Sequence, residues 1–231
     1  MSSELTKIWE KNFDKKAAKV RADRVIKQIK KYNPKAKKVL ELGVRLGFVL
    51  SHFKKFNKYG LDLTKEYVDV VKRITPNAKY IVSSMHNFKI NEKFDAIFSV
   101  NECINEVKSY KNWESTFKHA YDHLNKNGLF IFDMRTQKDL EDKKKQVVKL
   151  EKTPTGYIYD DTIIKGNKLT WDVTLFKKVR GNLYQIERDN YDEITFPLAD
   201  IRKSLSKKFK ILKTISINKK KIAMFVCRRK L

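Results

Sequence analysis

Apolar residues follow three different rhythms along the chain. Between residues 4 and 32 they recur at Leu5, Ile8, Trp9, Phe13, Ala18, Ala22, Val25, Ile26 and Ile29, with lysines between them. This is the spacing of one helix face, so it predicts a long or broken amphipathic helix, ended by Asn33-Pro34. Between residues 38 and 133, short and nearly all-apolar runs alternate with amphipathic ones. The runs predict strands over Val39–Leu42, Tyr59–Asp62, Tyr80–Val82, Phe94–Val100 and Leu129–Asp133. Helices are predicted over Phe48–Phe56, Lys65–Ile74 (stopped by Pro76) and Trp113–Leu124, the last closing at Asn125-Lys-Asn-Gly128. Strands that are apolar throughout belong to a parallel sheet covered on both faces.

After about residue 143 the rhythm becomes period two. Val147–Lys152, Tyr157–Ile164, Leu169–Val179 and Leu183–Ile194 alternate polar and apolar residues. Lys165-Gly-Asn-Lys168 and Arg180-Gly-Asn182 lie between them as hairpin turns, which predicts an antiparallel meander. A helix from Pro197 to Leu205 and strands over Phe209–Ile217 and Ile222–Cys227 complete the chain. With no internal repeat or low-complexity linker, the meander reads as an insertion into one domain. The expected division is a core over 1–143, an inserted sheet over 144–195, and a return to the core over 196–231.

Composition narrows the setting. At 231 residues and 41% hydrophobic content, a folded domain with a proper core is expected. No run of about 18 uncharged apolar residues exists to span a membrane. The start, Met-Ser-Ser-Glu-Leu-Thr-Lys, lacks the apolar core of a secretory signal. Cys103 and Cys227 are too few for a disulfide framework. A cytoplasmic protein is therefore expected. The net charge of +25 admits a nucleic-acid partner, because lysine-rich surfaces attract phosphate. Yet 42 of the 52 basic residues are Lys and only ten are Arg, the residue that phosphate clamps favour, and they are spread over the whole chain.

The most informative stretch is 38–62. An apolar strand runs into a turn with Gly43 and Gly47, and a second strand ends at Asp62, 19 positions beyond Gly43. Glycines let backbone approach a nucleotide, and an acidic side chain at that distance takes ribose hydroxyls. Arg45 stands where a G-x-G-x-G turn has its middle glycine. In a parallel sheet, ligands bind beyond the carboxyl ends of the strands, at the point where strand order reverses.

Four segments in this order resemble the class I S-adenosyl-L-methionine (SAM)-dependent methyltransferases. Val39-Leu-Glu-Leu-Gly43 is similar to the family's first motif and Gly60-Leu-Asp62 to its second. Phe94-Asp-Ala-Ile-Phe-Ser-Val-Asn101 resembles the strand that ends at the reaction centre, and Leu124-Asn-Lys-Asn-Gly-Leu-Phe-Ile-Phe132 the turn into strand five. The inserted meander is similar to that of the small-molecule branch containing sugar N-methyltransferases and glycine N-methyltransferase. The resemblance implies an α/β, Rossmann-like, seven-stranded, mostly parallel sheet sandwiched by helices, with an antiparallel β-meander lid inserted after strand five. It implies SAM as cofactor and methyl transfer to N or O of a small or medium-sized acceptor. The alternatives are an RNA or nucleotide-type acceptor, or a binding protein that has lost catalysis; monomer and homodimer are both open.

The same resemblance implies site residues. Glu41 and Gly43 to Gly47, Arg45 included, would line the methionine end. Asp62 would hold the ribose, with Leu63 beside the adenine, flanked by Ser84 and Met85. Trp9 and Phe13 would fold over the cofactor. Arg45 would crowd it, point away, or pair with its carboxylate, and Ser84 replaces an adenine-binding carboxylate. Asn101, Glu102 and Asn105 follow strand four and could bond an amine or hydroxyl acceptor, or simply cap the next turn. Asp133, Arg135 and aromatics of the meander such as Trp171 and Tyr191 are further acceptor-side candidates. His86 is a loop histidine near the site; His119 and His123 are expected to be surface residues, and no metal is expected. Cys103 is expected to be a small packing residue.

Overall fold

The computed structural model describes residues 14–143, 146–153 and 155–231. The expected helix over 4–32 is seen from α1, Lys15–Tyr32; Trp9 and Phe13 lie outside the described residues. Asp14 caps α1 by accepting from the Ala17 amide at 2.9 Å. The following elements are β1 (Lys38–Leu42), β2 (Asn57–Asp62), α2 (Lys65–Ile74), β3 (Ala78–Val82), β4 (Phe94–Ser99), α3 (Tyr110–His123) and β5 (Leu124–Arg135). Then come α4 (Gln137–Glu141), β6 (Gln146–Thr153), β7 (Gly156–Lys165), β8 (Lys168–Arg180), β9 (Leu183–Ile194), α5 (Leu198–Ser206), β10 (Phe209–Ile217) and β11 (Ile222–Arg229).

Seven strands form one sheet in the order β10-β11-β5-β4-β1-β2-β3. The strands from β5 through β3 pair in parallel, whereas β11 and β10 are antiparallel additions at one edge. Strand order reverses between β1 and β4, and the cleft above their carboxyl ends is where a ligand is expected. Side chains of β5 show why its run is apolar throughout. Leu129 and Ile131 enter the layer beneath α1, with Ala18, Ala22, Val25 and Ile29. Phe130 and Phe132 enter the opposite layer with Phe117, Ala120, Ile201 and Leu205 of α3 and α5.

The second sheet is the meander, in the order β6-β7-β8-β9, all antiparallel. Gly166 and Gly181 take φ of 59° and 52° in its two-residue turns, a conformation that favours glycine. One face of the meander carries the small cluster of Val173, Leu175, Ile158 and Tyr191. Asn105 ties the meander to the core, donating to the Ile194 carbonyl at 2.9 Å.

Two local expectations are corrected. The predicted helix Phe48–Phe56 is a single 3-10 turn, Leu50–His52. Val49, Leu50 and Phe53 are all buried, and β2 already begins at Asn57, so only three residues follow Phe53 and the chain has no length for a further helical turn. Asn125-Lys-Asn-Gly128 lies inside β5 as an irregularity: the pairing with β4 jumps from Phe94↔Leu124 to Ala96↔Leu129, and Asn127 takes φ 62°. The short helix α4 was not anticipated; its five residues are too few for a readable period.

Candidate active site

Above the carboxyl ends of β1, β2 and β4 lie two cavities that share a wall. The larger, of about 310 Å³, is lined by Asp62, Leu63, Thr64, Tyr67, Ser83, Ser84, Met85, His86, Glu106 and Asn112 among others. The smaller, of about 30 Å³, is lined by Arg21, Glu41, Gly47, Phe48 and Asn101 among others. Gly43, Arg45 and Cys103 line both. Nine of the expected site residues (Glu41, Gly43, Arg45, Gly47, Asp62, Leu63, Ser84, Met85 and Asn101) thus reach one or the other, whereas Glu102 and Asn105 reach neither.

The glycine turn is built for close approach. Gly43 has φ 72°, and a Cβ there would lie 2.1 Å from Cys103 Sγ. Its amide and that of Val44 both donate to the Leu61 carbonyl, at 2.8 and 2.9 Å, fastening the turn to the end of β2. Gly47 has a different duty: a Cβ would lie 1.9 Å from Val71 Cγ2, so it allows α2 to pack against the turn. Cys103 is accordingly a buried packing residue against Gly43, as expected, and burial pushes its thiol pKa well up.

Arg45 takes left-handed backbone, φ 45°. Its amide donates to Asp62 Oδ2 at 2.7 Å, while Thr64 N–H donates to Asp62 Oδ1 at 3.0 Å. The Leu63 N–H also favours the ionised carboxylate, which lines the larger cavity with lone-pair capacity left for a ligand. The Arg45 guanidinium turns to Glu106 and forms an ion pair with it. The side chain therefore stands as a partition between the cavities, tied to the loop after β4. Burial raises the Glu106 carboxyl pKa, and the Arg45 charge opposes that rise.

Glu41 ends β1 almost fully buried, and its Oε2 has no partner among the described residues. Burial first, and then the charge of Asp62, hold its pKa well above the ordinary carboxylate range. A buried carboxyl oxygen facing a cavity beside Arg21 is an arrangement that calls for a cation.

Beyond β4 the chain turns through two consecutive left-handed residues, Asn101 (φ 66°) and Glu102 (φ 55°). Such strain concentrates at functional sites. Glu102 N–H donates to Asp133 Oδ1 at 2.8 Å. Both carboxyls titrate above their ordinary range: burial is the leading cause for each, and Asp133 adds to the rise at Glu102. Asp133 accepts backbone N–H groups that favour its ionised form, so the pair's proton resides on Glu102.

Arg135, only 11% exposed, gathers three carboxylates: it pairs with Asp139, donates to Glu193 Oε2 at 2.6 Å and lies 3.9 Å from Glu102 Oε2. Trp171 Nε1 donates to the other oxygen of Glu193 at 3.2 Å. The lid strand β9 is thus pinned beside the β4 and β5 ends.

Other candidates are assigned differently. Asn105 does not line either cavity; its amide is taken up by Ile194 O, Arg135 O and Arg135 N–H. It is a staple between core and lid, in place of the acceptor-binding role expected of it. Ser84 Oγ accepts from the His86 amide at 3.2 Å and lies 2.6 Å from His86 Nδ1, so it builds the turn after β3. His123 is buried, not superficial: Ile90 N–H donates to its Nε2 at 3.1 Å and its Nδ1 is 2.7 Å from the His119 carbonyl. Both ring nitrogens serve the backbone. Arg21, Tyr67 and Glu106 line the cavities but were not singled out from sequence. Arg21 is one of two arginines in the lysine-rich α1, the one signal available; the other two carry none.

Comparison with known proteins agrees with this geometry. A family model described as a methyltransferase domain matches residues 13–163. No curated protein sequence matches the chain. Among solved structures, an S-adenosylmethionine-dependent methyltransferase from Clostridium acetobutylicum superposes with a TM-score of 0.84 at 20% identity, over 98% of each chain. Streptomyces venezuelae DesVI gives 0.81 at 16% identity, over 99% of this chain and 98% of that one. The sugar N-methyltransferase KedS8 from a Streptoalloteichus species gives 0.84 at 15% identity, over 100% and 94%.

Proposed function

The chain belongs to the methyltransferase domain family, and from that premise we propose that it transfers a methyl group from SAM to the nitrogen of a small amine acceptor. The residues present fit the cofactor. The unpartnered Glu41 oxygen would take its ammonium group and Arg21, in the same cavity, its carboxylate. Asp62, at the edge of the larger cavity, would receive the ribose hydroxyls on its remaining lone-pair capacity. Leu63, Ser84 and Met85 line the larger cavity, which would hold the adenine. The partition formed by Arg45 would have to move or be passed by a ligand occupying both cavities.

SAM, when bound, supplies an electrophilic methyl group on a sulfonium. Methyl transfer then needs alignment, exclusion of water and, for an amine, removal of a proton. The observation that carries the nitrogen reading is the placing of two carboxyls at the ends of β4 and β5: Glu102, whose N–H binds Asp133, has its carboxyl raised in part by the Asp133 charge. Glu102 as carboxylate takes the proton of an acceptor ammonium and bares the lone pair. Asp133, held ionised by backbone N–H groups, orients the loop that carries Glu102. Glu106 and Glu193 lie nearby, but each is offset by its own arginine, Arg45 and Arg135, which leaves Glu102 and Asp133 as the local acidic groups. The Glu102–Asp133 pair favours a cationic acceptor over an RNA or nucleotide, whose phosphates these two carboxylates would repel.

Titration calorimetry with SAM and its demethylated product tests the cofactor; absence of heat at millimolar ligand would sink the methyltransferase reading. Matched amine and hydroxyl acceptors, assayed by mass for one added methyl, test the acceptor atom. Faster consumption of the hydroxyl series would overturn the nitrogen assignment.

A further inference from the structure

The wall between the two cavities is movable at one point. Gly43, Arg45 and Cys103 line both. Gly43 has no side chain, its amide is fastened to the Leu61 carbonyl at 2.8 Å, and the Cys103 thiol is packed against it. Of the three, Arg45 brings the long, rotatable side chain. Its amide holds Asp62 Oδ2 at 2.7 Å, so the guanidinium can swing without releasing that carboxylate. What keeps it across the cleft is the ion pair with Glu106, from the 3-10 turn Cys103–Glu106 after β4. Tyr67 of α2 and Tyr191 of β9 also feel the Arg45 charge, so the guanidinium lies where core and lid meet. The side chains of Arg45 and Glu106 are 37% and 34% exposed, and an ion pair so open to solvent is worth little. The partition is closed but weakly held.

Volume decides what the closed site takes. About 310 Å³ lie open on the side of Asp62, Leu63 and Met85. The roughly 30 Å³ on the side of Glu41 and Arg21 hold two or three waters, at about 10–15 Å³ for each. An amino-acid end, with its ammonium and carboxylate groups, needs several times that room. It reaches the unpartnered Glu41 oxygen and Arg21 only after the Arg45 side chain has left the wall.

We infer that the Arg45–Glu106 ion pair is a latch across the cofactor site that sets which ligands the site binds. Closed, the site takes a bare nucleoside in the larger cavity; a ligand that also carries an amino-acid end enters by breaking the pair. This rests on the cofactor reading above. It makes Arg45 a specificity-determining residue, one that lowers affinity for the whole cofactor and leaves affinity for the nucleoside untouched. Opening the latch costs the whole cofactor part of its binding free energy, whereas the nucleoside binds beside a closed latch at no such cost.

Titration calorimetry on the full chain with adenosine, SAM and the demethylated product tests this. Arg45→Gly removes the latch and suits the local φ of 45°, a conformation that favours glycine. Both cofactor forms should bind the variant about five-fold more tightly, the worth of a part-exposed ion pair, while adenosine binds both proteins equally. The two forms are compared because SAM carries a sulfonium charge and its product does not. A gain confined to SAM would be relief of charge repulsion by Arg45 and overturns the latch. Weaker binding of both forms overturns it as well, and assigns Arg45 to the cofactor carboxylate. Should Arg45→Gly fold poorly, Glu106→Gln frees the arginine in place. The ratio of product affinity to adenosine affinity should then rise by a similar factor, and an unchanged or lower ratio overturns the latch. Equal cofactor affinity in wild type and Arg45→Gly overturns the latch and leaves the cofactor reading standing, whereas no cofactor binding by either protein overturns both.

Discussion

Each central strand of the seven-stranded sheet has side chains buried above and below it; each strand of the meander buries one side and leaves the other to solvent. Phe130 and Phe132 lie in one layer and Leu129 and Ile131 in the other, all fully buried. Among the described residues of the meander, Val173 and Leu175 form a buried cluster, and their strand neighbours Thr174 and Phe176 face outward, partly exposed. The central sheet thus holds its shape through its own packing. The meander holds its place through a few polar ties, Asn105 to Ile194 and Arg135 to Glu193, made at the edge of the site. A platform that carries the glycine turn and Asp62, and a cover tethered beside the cleft, are the consequence.

The comparison can be broken from the platform side first. Phe132→Ala removes a fully buried ring between two helices and should cost about 3–5 kcal/mol in denaturant unfolding. Should the loss be below about 1 kcal/mol, the two-layer core would not be the main source of stability.

Cutting the tether is the next largest change. Arg135→Ala leaves the buried Glu193 with no cation beside it and Asp139 with only Lys143 and Lys221, at a cost of about 3 kcal/mol. The meander amides should then exchange with solvent faster than those of β4 and β5. Equal exchange in both sheets would argue against a separately held cover.

Glu102→Gln tests the chemistry at their junction. It should lower kcat roughly 100-fold for an amine acceptor, with KM for the cofactor little changed. Wild-type activity should rise with pH as Glu102 deprotonates above the ordinary carboxylate range, and the variant should lose that rise. The stability effect has the opposite sign. Because Glu102 and Asp133 titrate higher in the folded protein, the folded state binds more protons, and stability falls as pH climbs through their raised range. Urea midpoints measured between about pH 5 and 8 should show that slope, reduced in the variant.

The smallest effect is expected on the uncovered face. Ile186→Thr should change the stability of dilute protein by no more than about 0.5 kcal/mol, against several for Phe132→Ala. A larger loss would mean that this face is packed within the single chain.

Much of this was legible in the residues themselves. The period of the hydrophobic pattern is a backbone property: apolar runs at strand length, amphipathic runs at helix length and alternation at period two each have one economical burial solution. Helix Lys65–Ile74, strand Phe209–Ile217 and the four meander strands follow from it, and so do Gly43 and Asp62 in the cleft. Phe48–Phe56 misled because the buried Val49, Leu50 and Phe53 fall at the spacing of a helix face within what is only a packed turn.

What a side chain faces depends on residues far along the chain, and local pattern does not encode it. Arg45 reads as a flaw in a glycine motif; that it meets Glu106, 61 positions away, was decided by the path of the loop after β4. Asn105 reads as an acceptor ligand until β9, 89 positions later, places the Ile194 carbonyl against it. The pairing of Glu102 with Asp133 likewise needs β4 and β5 side by side. The sequence by itself determined the two sheets, their order of elements and the cofactor-facing turn, because those rest on periodicity and on glycine's freedom. Tertiary structure alone decided which buried charges meet, because the energy of a buried charge depends on partners that only the folded chain brings within reach.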